Sequence, residues 1–266
     1  MRRRWLLTLL MLRLLPDGSL VAGSPYRLDW SHDGWIAGGG AVLGVAAFAG
    51  RHGGTGLTPG ELAQLNPASL NGFDRGAVRN YSAAADDASD WLVYGLIASP
   101  ALFLAGSDVR DELGTLAVMY AEAMALTFTS IEVLKSSTQR IRPLSYHPGV
   151  PAGERTDPDA RRSFPSSHTA FAFGSAVFLS TVYADMQPGS DWSPLLWGGT
   201  LLAASAVGTL RYAAGAHFPS DILAGALLGG AIGYLVPLVH RVDNSTMGVV
   251  FSSQHRGAGI RVVYMI

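Results

Sequence analysis

The sequence predicts an all-α fold, a six-helix membrane-embedded bundle with long loops. Three observations support this prediction. Apolar residues make up 48% of the 266-residue chain, charged residues make up 15%, and the mean hydropathy is +0.25. Six long stretches are nearly free of charge, and they are rich in Ala, Leu and Gly rather than in β-branched residues, which favours helices over buried strands. This length fits one large domain, which we place at residues 24–241.

The six predicted helices follow one another along the chain. They cover Trp35–Gly50, Trp91–Gly106, Leu113–Ile131, Thr169–Ala184, Ser193–Leu210 and Ile222–Val239. Each is slightly shorter than the ~20 residues that span a bilayer, so core helices of a soluble protein are the alternative. The apolar residues surround these helices instead of forming stripes, which favours a membrane.

The two chain ends differ from this pattern. Residues 1–23 contain three arginines, an apolar run and Val21-Ala22-Gly23, as in a secretory signal peptide. Arg13 and Pro16 interrupt the run, so an uncleaved anchor or a disordered start is the alternative. In the tail, 242–266, two apolar segments flank a Gly-containing turn, which predicts a short C-terminal β-hairpin.

Composition excludes several classes of function. The formal net charge of −1 gives no basic face, so we expect no nucleic acid partner. Cysteine is absent, which excludes disulfides and thiolate metal sites. No HExxH motif or carboxylate cluster stands out in the sequence, so we expect no metal and no cofactor.

The first polar cluster ends the third predicted helix. Lys135 and Arg142 are seven residues apart, about two turns, so both cations can project from one helix face. Pro143 disfavours helical geometry at Arg142, so the helix should end there. Lysine offers a point charge and arginine a planar fork that fits two phosphate oxygens. The alternative is two cations that reach from a membrane boundary into water.

The second cluster opens the fourth predicted helix. Ser166 and Ser167 are typical helix caps, and the free N–H groups of a helix start also form an anion site. His168 would face the same anion from the first turn. The alternative is an ordinary cap followed by an incidental histidine.

The third cluster joins the last two predicted helices. Arg211 precedes His217, and Asp221 follows His217 by four residues once Pro219 starts the sixth helix. A carboxylate at this position can accept the proton of one imidazole nitrogen and leave the other nitrogen free to attack. A purely structural His–Asp pair is the alternative.

Taken in order, Lys-x6-Arg-Pro, Pro-Ser-Ser-His and Arg-x5-His-x3-Asp resemble the three signature motifs of the type 2 phosphatidic acid phosphatase family. Its superfamily also contains bacterial acid phosphatases and vanadium haloperoxidases. Two positions depart from the family pattern. Ser167 stands where glycine is usual and places a side chain close to the phosphate, and Leu210 stands where serine is usual.

The resemblance implies a role for each residue. His217 would attack phosphorus, Asp221 would hold its tautomer, and His168 would protonate the leaving oxygen and then activate water. The phosphate oxygens would be held by Lys135, Arg142, Arg211, Ser166, Ser167 and helix N–H groups.

Other charged residues outside the motifs receive simpler interpretations. Glu122 lies in the middle of a predicted helix without a visible partner, so we interpret it as a packing or cavity residue. His147 either contacts substrate or is incidental. Arg140, Arg161 and Arg162 either add positive potential around the pocket or are solvated.

Up-and-down packing of six helices places all three motifs at one end of the bundle. The resemblance implies a bacterial inner-membrane phosphatase of phosphorylated lipids whose active site faces the periplasm. A soluble-type non-specific periplasmic acid phosphatase is the alternative. A vanadate-dependent haloperoxidase would need an additional domain, and a membrane scaffold or transporter would not need the complete set of motif residues.

Overall fold

The computed structural model describes residues 24–51, 56–105, 112–242, 246–254 and 257–265. The α-helices are α1 (Trp30–Arg51), α2 (Pro59–Ala63), α3 (Ala83–Ala98), α4 (Leu113–Thr138), α5 (Ala152–Arg155), α6 (Ser167–Met186), α7 (Ser193–Ala213) and α8 (Pro219–His240). Short 3-10 helices cover Pro67–Ser69, Arg75–Arg79, Ser99–Ala105, Pro143–Tyr146 and Pro158–Arg161.

The described part of the chain is dominated by helices, so the all-α prediction is confirmed. Three segments are long and apolar enough to cross a membrane, and these are Leu113–Tyr146, Ser193–Ala213 and Pro219–His240. A bundle of six membrane-embedded helices therefore stays a prediction. The signal peptide or anchor expected at 1–23 lies outside the described residues.

The second long helix begins well before its predicted start. We expected a helix from Trp91, whereas α3 begins at Ala83. The Ser82 hydroxyl caps it by accepting a hydrogen bond from the Ala85 N–H at 3.2 Å. Two aspartates, Asp86 and Asp90, therefore lie inside the helix. The predicted helix excluded them because it was defined by an uncharged stretch.

The centre of the bundle is a close contact between α6 and α8. A Cβ added at Gly229 would lie 1.9 Å from the Ala170 carbonyl oxygen, and one at Gly233 would lie 2.3 Å from that of Gly174. Small residues at such positions let two helix backbones approach closely. Because α6 and α8 both begin at the same end of the bundle, this contact places their first turns side by side.

The opposite end of the bundle holds the start of the described chain. The Tyr26 hydroxyl donates to Asp185 at 2.6 Å, and the Arg241 guanidinium binds the same carboxylate at 2.8 Å. Tyr26 also packs into a hydrophobic core with Phe178 and Val236. Beyond Arg241, segments β1 (Thr246–Gln254) and β2 (Gly257–Met265) lie antiparallel to each other.

Candidate active site

The first motif does not lie on one helix face as the sequence predicts. α4 ends at Thr138, because Gln139 adopts a left-handed conformation with φ 44°. Lys135 is therefore in the last turn of the helix, while Arg142 lies beyond it in extended backbone. Lys135 is buried. The Arg142 guanidinium lies 4.0 Å from the Asp159 carboxylate, and its Nε makes no hydrogen bond within the described residues.

The second motif caps α6 as predicted. The Ser166 hydroxyl is fully buried, accepts from the Thr169 N–H at 3.4 Å and lies 2.9 Å from the Thr169 hydroxyl. The Ser166 N–H donates to the Asp221 carbonyl at 3.0 Å, which joins the first turns of α6 and α8. Ser167 and His168 are half-buried in the first turn. Phosphate binding by Ser166 and Ser167 stays a prediction.

His168 has a partner that the sequence analysis missed. Its Nε2 lies 2.6 Å from the Asp90 carboxylate. Burial and the positive charge of Arg211 lower the pKa of His168 to about 4, although the hydrogen bond that His168 donates to Asp90 acts in the opposite direction. His168 is therefore a neutral ring near pH 7.

Arg211 also contacts α3. One of its terminal nitrogens binds the Asp86 carboxylate and the Ser89 hydroxyl, the latter at 3.1 Å. The same nitrogen lies 3.8 Å from Asp90. The four-residue spacing of Asp86 and Asp90 puts both on one face of α3. This spacing was the signal available in the sequence, but both residues precede the apolar stretch that marked the helix.

His217 is fully buried, and its Nδ1 lies 2.7 Å from the backbone carbonyl oxygen of Ser163. A carbonyl oxygen only accepts, so Nδ1 carries the proton and Nε2 of the neutral ring has the free lone pair. The expected partner, Asp221, lies 3.9 Å from Nδ1, beyond hydrogen-bonding distance. The prediction that Asp221 directly holds the tautomer of His217 is therefore wrong in this geometry.

Positively charged side chains of the site surround His217 and affect its pKa. Burial lowers the pKa of His217 well below its usual value, and the charges of Arg142, Arg211 and Lys135 lower it further. The ring is consequently neutral over the physiological pH range. The structure thus brings the cations of the first and third motifs around one imidazole.

Asp221 acts on His217 through Ser163. The Ser163 hydroxyl donates to the Asp221 carboxylate at 2.5 Å, and the Phe218 N–H donates to the same oxygen at 2.9 Å. Arg140 donates to the other oxygen at 2.5 Å. Asp221 therefore fixes the Ser163 residue whose carbonyl holds His217. Ser163 was not predicted from the sequence, because it contacts His217 through its backbone carbonyl and every residue type has one.

Arg140 is neither a pocket cation nor a solvated side chain. It bridges Asp221 and Asp74, with a distance of 2.7 Å to Asp74, and its guanidinium lies 4.2 Å from the ring centre of Phe218. Asp74 is buried and accepts from both the N–H and the hydroxyl of Ser220. These contacts fix the start of α8 from outside the pocket.

The two remaining arginines pair elsewhere. Arg161 binds Glu61 at 2.5 Å, and Arg162 binds the buried Glu132 at 2.6 Å. His147 lies beside the Tyr81 ring, with centroids 6.3 Å apart, and its contact with substrate stays a prediction.

One group of residues has the composition of a metal site, and it lies away from this pocket. Asp33, Glu122 and His240 are buried together, with their ligating atoms within 4.8 Å of one another. They lie at the opposite end of the bundle, so they cannot contact a phosphate held at His217.

Comparison with known proteins yields a family and several relatives. Residues 116–245 match the model of the PAP2 superfamily. Over 92 residues the chain is 36% identical to the probable diacylglycerol pyrophosphate phosphatase 1 of Schizosaccharomyces pombe, covering 33% of each protein. It is 32% identical over 129 residues to the lipid A 4'-phosphatase of Bacteroides thetaiotaomicron, covering 45% of this chain and 53% of the relative. The matches thus span about a third and about half of these relatives' lengths.

Two solved structures are similar at a lower level. The crystal structure of Aquifex aeolicus LpxE has a TM-score of 0.41 at 24% identity, covering 61% of this chain and 90% of that chain. That of the transmembrane PAP2 type phosphatidylglycerolphosphate phosphatase from Bacillus subtilis has a TM-score of 0.41 at 19% identity, covering 78% and 94%. Residues 116–245, which match the PAP2 superfamily model, contain all three motifs that meet at His217.

Proposed function

We propose that this protein is a phosphatase that hydrolyses a phosphate monoester or diphosphate of a membrane lipid through a phosphohistidine intermediate. One observation carries the proposal. His217 is a buried, neutral imidazole whose Nδ1 proton is fixed by a carbonyl, in a site lined by three cations. Such a ring presents its Nε2 lone pair to an anion that the cations attract.

The first step forms a P–Nε2 bond at His217 and breaks the bond between phosphorus and the leaving oxygen. The leaving oxygen takes a proton from His168, which the negative charge of bound phosphate helps to keep on the ring. Asp90 supports this role because its carboxylate favours the protonated form of His168. The product alcohol or monophosphate then departs.

The second step hydrolyses the phosphohistidine. His168, now neutral, accepts a proton from water as the water oxygen attacks phosphorus, and the P–Nε2 bond breaks with its electron pair returning to His217. Inorganic phosphate is released, and His168 has regained the proton that the first step used.

The three cations take the part that a metal ion plays in many phosphatases. Lys135, Arg142 and Arg211 would hold the equatorial oxygens while charge shifts between attacking and leaving atoms. Arg142 is best placed, because its nearest carboxylate is 4.0 Å away, whereas Arg211 is already paired with Asp86. Ser167 and the first N–H groups of α6 would add hydrogen bonds.

A lipid substrate is supported by the surface of the helices that lead to the site. Large apolar side chains are exposed on α7 and α8, among them Leu202 and Leu227, with 73% and 75% of their surface accessible. A bilayer around these helices would cover such side chains and let an acyl chain stay in the membrane while its phosphate enters the pocket. The names of the relatives, a lipid A phosphatase and a diacylglycerol pyrophosphate phosphatase, agree with this class of substrate. We place the protein in a bacterial inner membrane as a six-helix bundle with its pocket facing the periplasm.

A soluble-type acid phosphatase of the periplasm is the second candidate. Among the described residues, only three of the six long helices are long and apolar enough to span a membrane, and this number favours the second candidate. Such an enzyme would cleave soluble phosphate esters as readily as lipids.

The test is phosphate release by the detergent-purified protein in the presence of EDTA. The substrates are phosphatidate, phosphatidylglycerol phosphate, undecaprenyl diphosphate, lipid A and a soluble aryl phosphate. We expect release from a lipid that survives chelation, disappears in His217→Ala and leaves a ³²P label on wild-type protein quenched during turnover. Preference for the aryl phosphate would select the second candidate. Folded wild-type protein that releases nothing from any substrate would refute both.

A further inference from the structure

Three buried side chains meet at the end of the bundle opposite His217. Asp33 lies in the first turn of α1, Glu122 in the middle of α4 and His240 at the end of α8. Each is at most 4% exposed. Glu122 is 13 residues from Lys135 along α4, about 20 Å at the helical rise, so this cluster is separate from the phosphatase pocket.

The tautomer of His240 is fixed by the backbone. Its Nδ1 lies 2.8 Å from the Val236 carbonyl oxygen, which can only accept, so Nδ1 carries a proton. With the proton on Nδ1, the Nε2 atom faces two carboxylates, at 3.1 Å from Asp33 and 3.3 Å from Glu122, and is the atom that can bind a cation. Donation of one ring N–H to a carbonyl is also the arrangement that orients histidines bound to metals.

Among the described residues, three of the four carboxylate oxygens lack a donor, since Asp33 Oδ1 alone has a hydrogen-bonding contact, with His240 Nε2. Asp33 Oδ2 and both carboxylate oxygens of Glu122 are buried and accept no hydrogen bond within the described residues. Protonation of His240 would supply one donor and leave net negative charge buried with three oxygens unpaired. A divalent cation would cancel both carboxylate charges and give these oxygens a partner, which lowers the cost of burying them.

The spacing fits a small transition-metal ion. A tetrahedral ion with bonds of about 2.1 Å separates its ligands by about 3.4 Å, close to the 3.1 and 3.3 Å between Nε2 and the two carboxylates. One imidazole with two carboxylates suits zinc better than magnesium, which prefers oxygen ligands alone. We propose that Asp33, Glu122 and His240 bind a divalent transition-metal ion of the zinc type, which joins α1, α4 and α8.

The site would act on stability and not on the chemistry at His217. α1 packs mainly along α4, through contacts such as the hydrogen bond from the Thr129 hydroxyl to the Gly40 carbonyl at 3.0 Å. A metal ion coordinated by all three helices replaces the 3.1 Å contact between His240 and Asp33 with coordinate bonds that join α1, α4 and α8. Binding to the folded state alone raises the unfolding temperature by mass action.

The experiment uses the full-length, detergent-purified protein loaded with Zn²⁺ and then passed over a chelating resin. Metal is counted by mass spectrometry and bonding by X-ray absorption at the zinc edge. We expect about one zinc per chain with a single imidazole and oxygen ligands at about 2.0–2.2 Å. Glu122→Gln, which keeps the shape of the side chain, should lose the zinc. Asp191→Asn, an exposed carboxylate at the same end of the bundle, should keep it.

Thermal unfolding supplies the second measurement. Zinc at about 100 times its Kd should raise the unfolding temperature of the wild type by about 5–10 °C and leave that of Glu122→Gln unchanged. Wild-type protein that retains no more zinc than Glu122→Gln, or zinc bound by two or more imidazoles, would overturn the proposal in favour of a protonated His240. His217→Ala should retain the zinc, so failure of this site and failure of the phosphatase proposal are distinguishable.

Discussion

The two ends of the helix bundle bury charge in opposite ways. At the His217 end, Arg142 is a half-buried cation whose Nε has no hydrogen-bond partner among the described residues, and the nearby Asp86 and Asp221 are already paired. At the His240 end, Asp33 and Glu122 are buried anions with unpartnered oxygens. Both arrangements cost free energy in an empty protein, because a buried charge without a partner is unfavourable.

The difference indicates what each end is built to receive. Cations around a neutral imidazole attract an anion that can react with it, whereas carboxylates facing an imidazole lone pair attract a cation. At the first end, Asp86 pairs with Arg211, and Asp221 fixes the contact between Ser163 and His217. Arg142 is therefore the cation most available to a bound phosphate. Substitutions at the two ends should therefore differ in the size of their effects on catalysis and stability.

The largest expected effect is on catalysis at the cationic end. Arg142→Ala removes a guanidinium with no strong ion pair to replace its interaction with phosphate, so kcat/KM should fall about 100- to 1,000-fold. Steady-state phosphate release from the preferred lipid measures the change.

Arg161→Ala is the matched control for this experiment. Arg161 is an arginine at the same end of the bundle, but it pairs with Glu61. We expect its kcat/KM to stay near the wild-type value. Equal losses in the two variants would mean that general positive potential, and not the position of Arg142, attracts the substrate.

The second prediction compares stability at the two ends in metal-free protein. Asp221→Asn leaves Arg140 and the Ser163 hydroxyl without their charged acceptor, so the free energy of unfolding should fall by about 3 kcal/mol. Glu122→Gln removes a carboxylate whose oxygens accept no hydrogen bond, so the same free energy should stay unchanged or rise. Chemical denaturation in EDTA measures both.

A large destabilisation by Glu122→Gln in EDTA would contradict this comparison, because it would mean that the carboxylate has a partner even without metal. With zinc present the expectation reverses, and Glu122→Gln becomes the less stable protein.

The sequence predicted the helical class and the position of the motif residues near helix ends, because both depend on local patterns. Uncharged runs mark helices, and the three motifs place Lys135, His168 and His217 at helix ends by spacing alone. The end of α4 was missed because Gln139 is not a residue type that signals a left-handed conformation. The helix consequently ends before Arg142, with Pro143 playing no part in stopping it.

The contacts between distant segments could not be predicted in the same way. Asp33 and His240 are 207 positions apart, and only the packing of α1, α4 and α8 brings them to Glu122. Ser163 holds His217 with its backbone, which leaves no trace in residue type. The four-residue spacing of Asp86 and Asp90 could have predicted that both lie on one helix face. Both residues, however, lie outside the apolar stretch that defined the predicted helix.

The smallest expected effect concerns Asp90 and the pH dependence of the reaction. Asp90→Asn removes a hydrogen bond and a negative charge that favour protonated His168, so the pKa of His168 should fall below its value of about 4. At a pH above that pKa, each unit by which the pKa of His168 falls reduces the protonated fraction of His168 about tenfold. If His168 donates the proton to the leaving oxygen as proposed, kcat/KM near pH 7 should fall by about that factor per unit, and the alkaline limb of its pH profile should move to lower pH. Asp87→Asn, an exposed neighbour on the same helix, should leave the profile unchanged. A profile that Asp90→Asn does not shift would show that Asp90 leaves His168 when substrate binds, and the carboxylates of α3 would then serve only Arg211.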